Sequence, residues 1–127
     1  MNIYFGIKFH ADNKNRDWIE SVVSHIVSQG HSVSCVVRDL EKWGEVRFDA
    51  KELMAKSFEL IDQSDLVLID LTEKGVGVGI EAGYAHAKKI PLITIAKTGS
   101  DISTTISGIS GRVIFYAQAS DILIQKV

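Results

Sequence analysis

Apolar residues gather in short continuous runs, and the stretches between them repeat at helical spacing. Residues 2–7 form a β-branched and aromatic run that predicts a buried strand. From Trp18 the apolar positions are 18, 19, 22, 23, 26 and 27, one face of an amphipathic helix. Gly30 is its natural stop, and Asp12 and Asn13 are candidate N-caps. Residues 32–37 predict a second strand, and the polar stretch 38–49, with Trp43, a loop or short helix. A second helix fits residues 50–63, with Leu53, Met54, Ser57, Phe58, Leu60 and Ile61 on one side. Asp65 opens a third strand over residues 66–71, followed by a glycine loop at 75–79 and a helix over about 79–89. Pro91 begins a fourth strand at 92–96. A short helix at 101–108, a fifth strand at 113–116 and a closing helix at 119–126 complete the chain.

Strands that alternate with helices and read as unbroken apolar runs belong to a parallel sheet covered on both faces. The expectation is a flavodoxin-like, Rossmann-like three-layer α/β/α sandwich in one domain, 1–127, with a five-stranded sheet of order 2-1-3-4-5. Ligands in such sheets sit beyond the carboxyl ends of the strands, near the switch in strand order. The loops to search are therefore 8–14, 70–79 and 97–103.

Composition narrows the function. The 127 residues are 46% apolar and 24% charged, which fits a globular protein. Fourteen basic against sixteen acidic residues leave a net charge of −2, without the basic stripe of a nucleic-acid binder. A small anionic ligand held by a few residues remains compatible with that balance. No run approaches the roughly 18 apolar residues of a membrane helix. The single cysteine, Cys35, and the lack of a signal-like start point to a reducing, cytoplasmic setting. His10, His25, His31 and His86 are scattered, so neither a metal nor a cofactor is expected.

The most informative stretch is Gly75-Val76-Gly77-Val78-Gly79-Ile80-Glu81-Ala82-Gly83-Tyr84-Ala85. Glycines let a ligand approach the backbone, and a helix N-terminus offers free N–H groups. The spacing fits neither a dinucleotide fingerprint nor a Walker loop. Glu81 falls in the first turn of the expected helix, where the dipole keeps a carboxylate ionised, as a nucleophile requires. Acidic residues also favour first turns for stability alone, and glycines also serve close packing.

Residues 65–85 resemble the core of the nucleoside 2-deoxyribosyltransferase superfamily, which includes the 2′-deoxynucleoside 5′-phosphate N-hydrolases. The likeness is carried by Ser64-Asp65 and by Gly77-Val78-Gly79-Ile80-Glu81-Ala82-Gly83-Tyr84-Ala85, without a gap. Ile3-Tyr4-Phe5 is similar to the family's first strand and Ser103 to Gly108 to its C-terminal segment. The resemblance implies that Glu81 attacks the anomeric carbon of a (deoxy)ribose and expels the base. Water or a second base would then resolve the glycosyl-enzyme, the logic of a retaining glycosidase. It implies further that the Tyr4 hydroxyl holds the nucleophile. It places Ser103 in a neighbouring subunit's site, hence a homodimer or larger symmetric oligomer. A core aromatic at Tyr4 and a helix N-cap at Ser103 are the plainer alternatives.

Several positions depart from the family pattern. Ser57 stands where the resemblance implies an aspartate, and a serine is a poor proton shuttle. Gly75 replaces a polar residue that reads base or phosphate. Gly6-Ile7-Lys8-Phe9-His10 replaces the phosphate loop, leaving Lys8, His10, Lys14 and Arg16 as cations that an anion could meet. Lys14 and Arg16 are equally solvated charges at a helix start. Asp70 ends the third strand on the ligand side, as a substitute general acid, a ribose ligand or a turn cap. Asp65 lies at the strand's other end and reads as structural. Trp43 either stacks on a base or packs at the domain edge.

The expected function is N-glycosidic cleavage or 2-deoxyribosyl transfer on a nucleoside or nucleotide. Glu81, Tyr4 and Asp70 are the catalytic candidates, and Gly6, Lys8, His10, Ser57, Gly75, Gly77, Gly79 and Ser103 the binding candidates. A non-catalytic nucleotide-binding or signalling module of the same fold is the alternative, and cleavage of a dinucleotide such as NAD a third.

Overall fold

The structure, a computed structural model, describes residues 1–124. The strands are β1 (Asn2–Ile7), β2 (Ser32–Ser34), β3 (Leu66–Asp70), β4 (Leu92–Lys97) and β5 (Arg112–Tyr116). The helices are α1 (Arg16–Ser28), α2 (Ala50–Asp62), α3 (Val76–Ala87) and α4 (Thr104–Ile109). The five strands pair in parallel in the order β2-β1-β3-β4-β5, as the alternation of elements predicts.

Alternate residues of each strand feed different faces. On one face Ile3, Phe5, Leu66 and Leu68 pack against Ile19, Val22 and Ile26 of α1. On the other, Tyr4, Val67 and Ile69 pack against Ile61 of α2 and Val78, Ala82 and Ala85 of α3. The sheet is thus the middle of three layers. Gly30 follows α1 with φ of 92°, the left-handed geometry expected of a C-terminal stop. Asp65 is structural, its Oδ2 accepting from Asn2 N–H at 2.8 Å. No helix of the described residues is long and apolar enough to cross a membrane.

Four local expectations are corrected. Helix α1 begins at Arg16 after Asn15, not at Asp12 or Asn13. Asn13 instead adopts a left-handed turn, φ 56°, and its Nδ2 donates to Trp43 O at 2.9 Å. β2 ends at Ser34, because Asp39 pulls the next segment into a wide helical turn over Val36–Leu40. Its Oδ2 accepts from Cys35 N–H at 2.8 Å. Helix α3 begins at Val76, three residues before the expected start, so Gly77 and Gly79 are helical rather than looped. Packing of Val78, Ala82 and Ala85 outweighs the roughly 1 kcal/mol that each helical glycine costs. Finally, the closing helix is one tight turn over Ala119–Asp121, and the end of that expected segment lies outside the described residues.

Candidate active site

A cleft of about 310 Å³ opens at the carboxyl ends of β1 and β2, on the face covered by α2 and α3. Gly6 to Phe9 run along it from β1, and Cys35 to Val37 and Glu41 come from beyond β2. Leu53, Met54 and Ser57 contribute one wall from α2, and Gly75 to Val78 with Glu81 another from α3. The walls are mostly apolar, and their charged side chains are Lys8, Glu41 and Glu81.

Glu81 lies on the inward stripe of α3, one turn after Val78 and beside Ala82. Its Oε2 is sealed from solvent and has no hydrogen-bond partner. The carboxyl is pressed against β1, where a Cβ added at Gly6 would overlap Oε2. Gly6 is therefore the glycine that close approach requires. A Cβ on Gly77 or Gly79 would meet nothing within 4 Å.

This geometry overturns the expectation of a dipole-stabilised, fully ionised carboxylate. With α3 starting at Val76, Glu81 sits in the second turn, beyond the unpaired N–H groups. Burial pushes its pKa up from 4.5 to about 7, and the neighbouring Tyr4 hydroxyl offsets part of the rise. Tyr4, 1% exposed, is itself held well above its ordinary value, first by burial and then by the Glu81 charge. Ser57 is the other hydroxyl beside Tyr4.

No family model matches the sequence. The chain is 25% identical over 103 residues, 80% of its own length and 72% of the relative's, to a Syntrophotalea carbinolica protein named for 2′-deoxynucleoside 5′-phosphate N-hydrolase activity. It is 25% identical over 122 residues to the 5-hydroxymethyl-dUMP N-hydrolase of Danio rerio, covering 93% of this chain and 85% of that protein. The fold matches the 2-deoxyribosyltransferase of Bacillus psychrosaccharolyticus with a TM-score of 0.77 at 16% identity, over 95% of this chain and 89% of that one. It matches the CMP N-glycosidase of Clostridium botulinum at 0.68 and 17% identity, over 95% and 93%. In sequence the chain is thus similar to nucleotide N-hydrolases, and in fold to 2-deoxyribosyltransferases. The glycine–glutamate segment that carried the resemblance contributes one wall of the cleft through Gly75 to Val78 and Glu81.

The structure separates other candidates from that block. Asp70 alternates to the opposite face of the sheet, 1% exposed, and never reaches Glu81. Its Oδ2 accepts from Trp18 Nε1–H at 2.8 Å and Tyr116 O–H at 2.6 Å, and its Oδ1 from Thr72 N–H at 2.9 Å and Thr72 O–H at 2.7 Å. Trp18 stacks on Tyr116 at 4.5 Å, so Asp70 is the hub of a structural network. Burial and then Asp70 drive the Tyr116 hydroxyl far above its ordinary pKa. His10 also leaves the cleft and lies 3.1 Å from Glu73.

Lys8 stays at the cleft, its stem 3.5 Å from where a Gly75 Cβ would stand and its Nζ 3.9 Å from Glu73. Ser57, 3% exposed, faces the cleft but donates its hydroxyl to Leu53 O at 2.8 Å. Ser103 is the N-cap of α4, accepting from Ile106 N–H. It and Gly79 lie outside the cleft lining. Arg16 sits 4.6 Å over the Trp43 ring, which packs at the edge of the α1-side core and not over the cleft. Sequence reasoning missed Glu41, Val36, Val37 and Phe9 as cleft residues, and read Leu53 and Met54 only as a helix stripe. A polar loop after the second strand was the signal available for Glu41, and it is shared by most such loops.

Proposed function

We propose that this chain breaks the N-glycosidic bond of a nucleoside or nucleotide, by hydrolysis or by transfer of the 2-deoxyribosyl group, with Glu81 as nucleophile. The carrying observation is the Glu81 carboxyl itself, sealed and unpaired at Oε2 in the floor of a ligand-sized cleft. A carboxylate stripped of water reacts with an electron-poor carbon more readily than a solvated one. Its ionised form attacks C1′, the C1′–N bond breaks, and the bond pair leaves with the base, which takes a proton from water at the cleft mouth. Water or an incoming base then attacks C1′ and frees Glu81. Tyr4 directs the carboxyl, and Gly6 provides the space it occupies.

The 5′ end of the substrate belongs at the start of α3. The N–H groups of Val76, Gly77 and Val78 precede the first intrahelical bond, from Gly79 N–H to Gly75 O at 3.2 Å. Lys8 stands beside them, a fit for a phosphate. The relatives named for phosphorylated nucleosides support this placement. A dinucleotide fits less well, because about 310 Å³ is at the bottom of the range for small-molecule pockets, roughly 300–1,000 Å³. Exposed apolar side chains around the same end, Phe9 at 57%, Val76 at 82% and Ile80 at 44%, support a symmetric oligomer in which Ser103 faces a neighbour's cleft. Light scattering that finds only monomer at micromolar concentration refutes the shared site. A buried single thiol, Cys35, raised by burial to about 11, supports a reducing, cytoplasmic setting.

The test is covalent trapping. A 2′-fluoro-arabinosyl nucleotide should leave a sugar ester on the peptide containing Glu81, and Glu81→Gln should neither trap nor turn over. Full turnover by Glu81→Gln removes the assignment. One observation favours a second reading, a binding module without turnover. Ser57, where the family resemblance implies an acid, has its hydroxyl committed to Leu53 O. Binding of nucleotides without cleavage of any would select that reading.

A further inference from the structure

We propose that Glu41 reads the base of the bound nucleotide and selects one that presents adjacent N–H donors, guanine foremost. The inference rests on the nucleotide reading of the cleft and adds to it a substrate class.

The cleft holds two acids, and they approach from opposite sides of β1. Glu81 comes from the helix after β3 and meets Gly6; Glu41 comes from the segment after β2. A sugar placed over Glu81, with its phosphate at Lys8 and the start of α3, directs its base toward the β2 side. There the walls are Val36, Val37, Leu53 and Met54, apolar surfaces suited to the faces of a ring. Among the described residues Glu41 is the acid that lines the cleft on that side, and burial alone acts on its carboxyl, with no hydrogen-bond or charge partner. Partial burial disfavours its charge. A half-buried carboxylate without a partner gains by accepting donors from a ligand.

The backbone around Glu41 is held with unusual care. Lys42, Trp43 and Gly44 follow in succession with φ of 47°, 60° and 98°, the left-handed region that is costly for the two non-glycine residues. The run is fixed from outside by Asn13 Nδ2–H to Trp43 O at 2.9 Å and by Arg16 over the Trp43 ring. Glu41 itself donates its N–H to Val36 O at 3.0 Å, and its carbonyl accepts from Gly44 N–H at 3.0 Å and Val46 N–H at 2.9 Å. Such over-determined strain fixes where the side chain leaves the backbone.

An ionised carboxylate only accepts. Guanine offers N1–H beside its exocyclic amine, a pair that both oxygens engage at once. Hypoxanthine keeps N1–H and lacks the amine. Adenine and cytosine pair one amine with a ring acceptor. Uracil and thymine place their single N–H between two carbonyls, which would face the carboxylate and repel it.

Calorimetry with the 5′-monophosphates of deoxyguanosine, deoxyinosine and deoxyuridine tests this, using Glu81→Gln protein to prevent turnover. One lost bond to a charged acceptor is worth roughly 10- to 100-fold in affinity, so guanine should exceed hypoxanthine by that factor and uracil by more. Adding Glu41→Gln should bring guanine and hypoxanthine to within about threefold of each other. Glu41→Asp, which keeps the charge and shortens the reach, should leave an intermediate preference and covers the case in which the glutamine variant does not fold. A guanine preference that survives Glu41→Gln, or uracil bound as tightly as guanine, overturns the proposal. Binding and cleavage without base preference remove Glu41 alone. The absence of any nucleotide binding removes the nucleotide reading with it.

Discussion

Replacing Glu81 by glutamine should stabilise the protein at neutral and alkaline pH while it abolishes turnover. The carboxyl titrates near 4.5 when exposed and at about 7 in the folded chain, because burial disfavours its charge. Between those values the native state holds a proton that the unfolded state has released. Unfolding free energy therefore falls as pH rises through this window and stays low above it. The interval is about 2.5 pH units, and at roughly 1.4 kcal/mol per unit it corresponds to on the order of 3 kcal/mol. Glutamine carries no such titration. Urea unfolding of both proteins from pH 4 to pH 8.5 gives the measurement, with the difference between them cancelling every other titrating group. That difference should be small and flat below about pH 4.5, climb through pH 7, and level off with the variant ahead by about 3 kcal/mol, on the order of 10 °C in melting temperature. Equal m-values would show that the unfolded states are alike. A pH-independent difference, or a variant less stable at pH 8 by the roughly 0.3–1 kcal/mol that a first-turn carboxylate is worth, refutes the argument from burial.

The same titration governs catalysis, so kcat/KM should rise with pH along a limb near 7 as Glu81 ionises, and Ser57→Asp should move that limb to higher pH by setting a like charge near it. An unmoved limb in a folded Ser57→Asp protein would mean that position 57 does not sense the carboxyl. Gly6→Ala puts a methyl where Glu81 Oε2 lies and should cut kcat by about 100-fold or more; an unimpaired kcat would show that the carboxyl need not lie against β1. Asp70→Asn replaces one accepting carboxylate oxygen by an NH2 that only donates, so one set of donors, from Trp18 and Tyr116 or from Thr72, loses its acceptor. The change should cost about 2–4 kcal/mol in urea unfolding with little change in KM. A large loss of kcat without loss of stability would restore Asp70 to the chemistry.

The layered α/β fold was legible because its signals are local. Runs such as residues 66–69 are apolar on both faces, which a sheet covered twice satisfies, and Gly30 marks a left-handed stop that few other residues adopt without cost. The glycine–glutamate block was legible for the same reason, as a contiguous string. That very uniformity hid the parity of Asp70. When both faces of a strand are apolar, alternation carries no sign of which face a terminal carboxyl joins, and only the register with β1 and the packing of Trp18 and Tyr116 decided it. The start of α3 was misplaced because glycines argue locally for a loop, while the buried stripe of Val78, Ala82 and Ala85 pulls them into a helix. The condition of Glu81 follows from that. Its residue type and position in the chain were set by sequence, but its raised pKa comes from burial against β1 at Gly6, more than seventy residues away in the chain. Glu41 is the extreme case, an ordinary acid in an ordinary polar loop whose only distinction is which cavity the assembled sheet turns it toward. Sequence alone determined which elements form and which acids exist, because propensity and periodicity act over a few residues. Which acids share a cleft, and which are charged there, depends on water being excluded by residues that only the tertiary fold brings together.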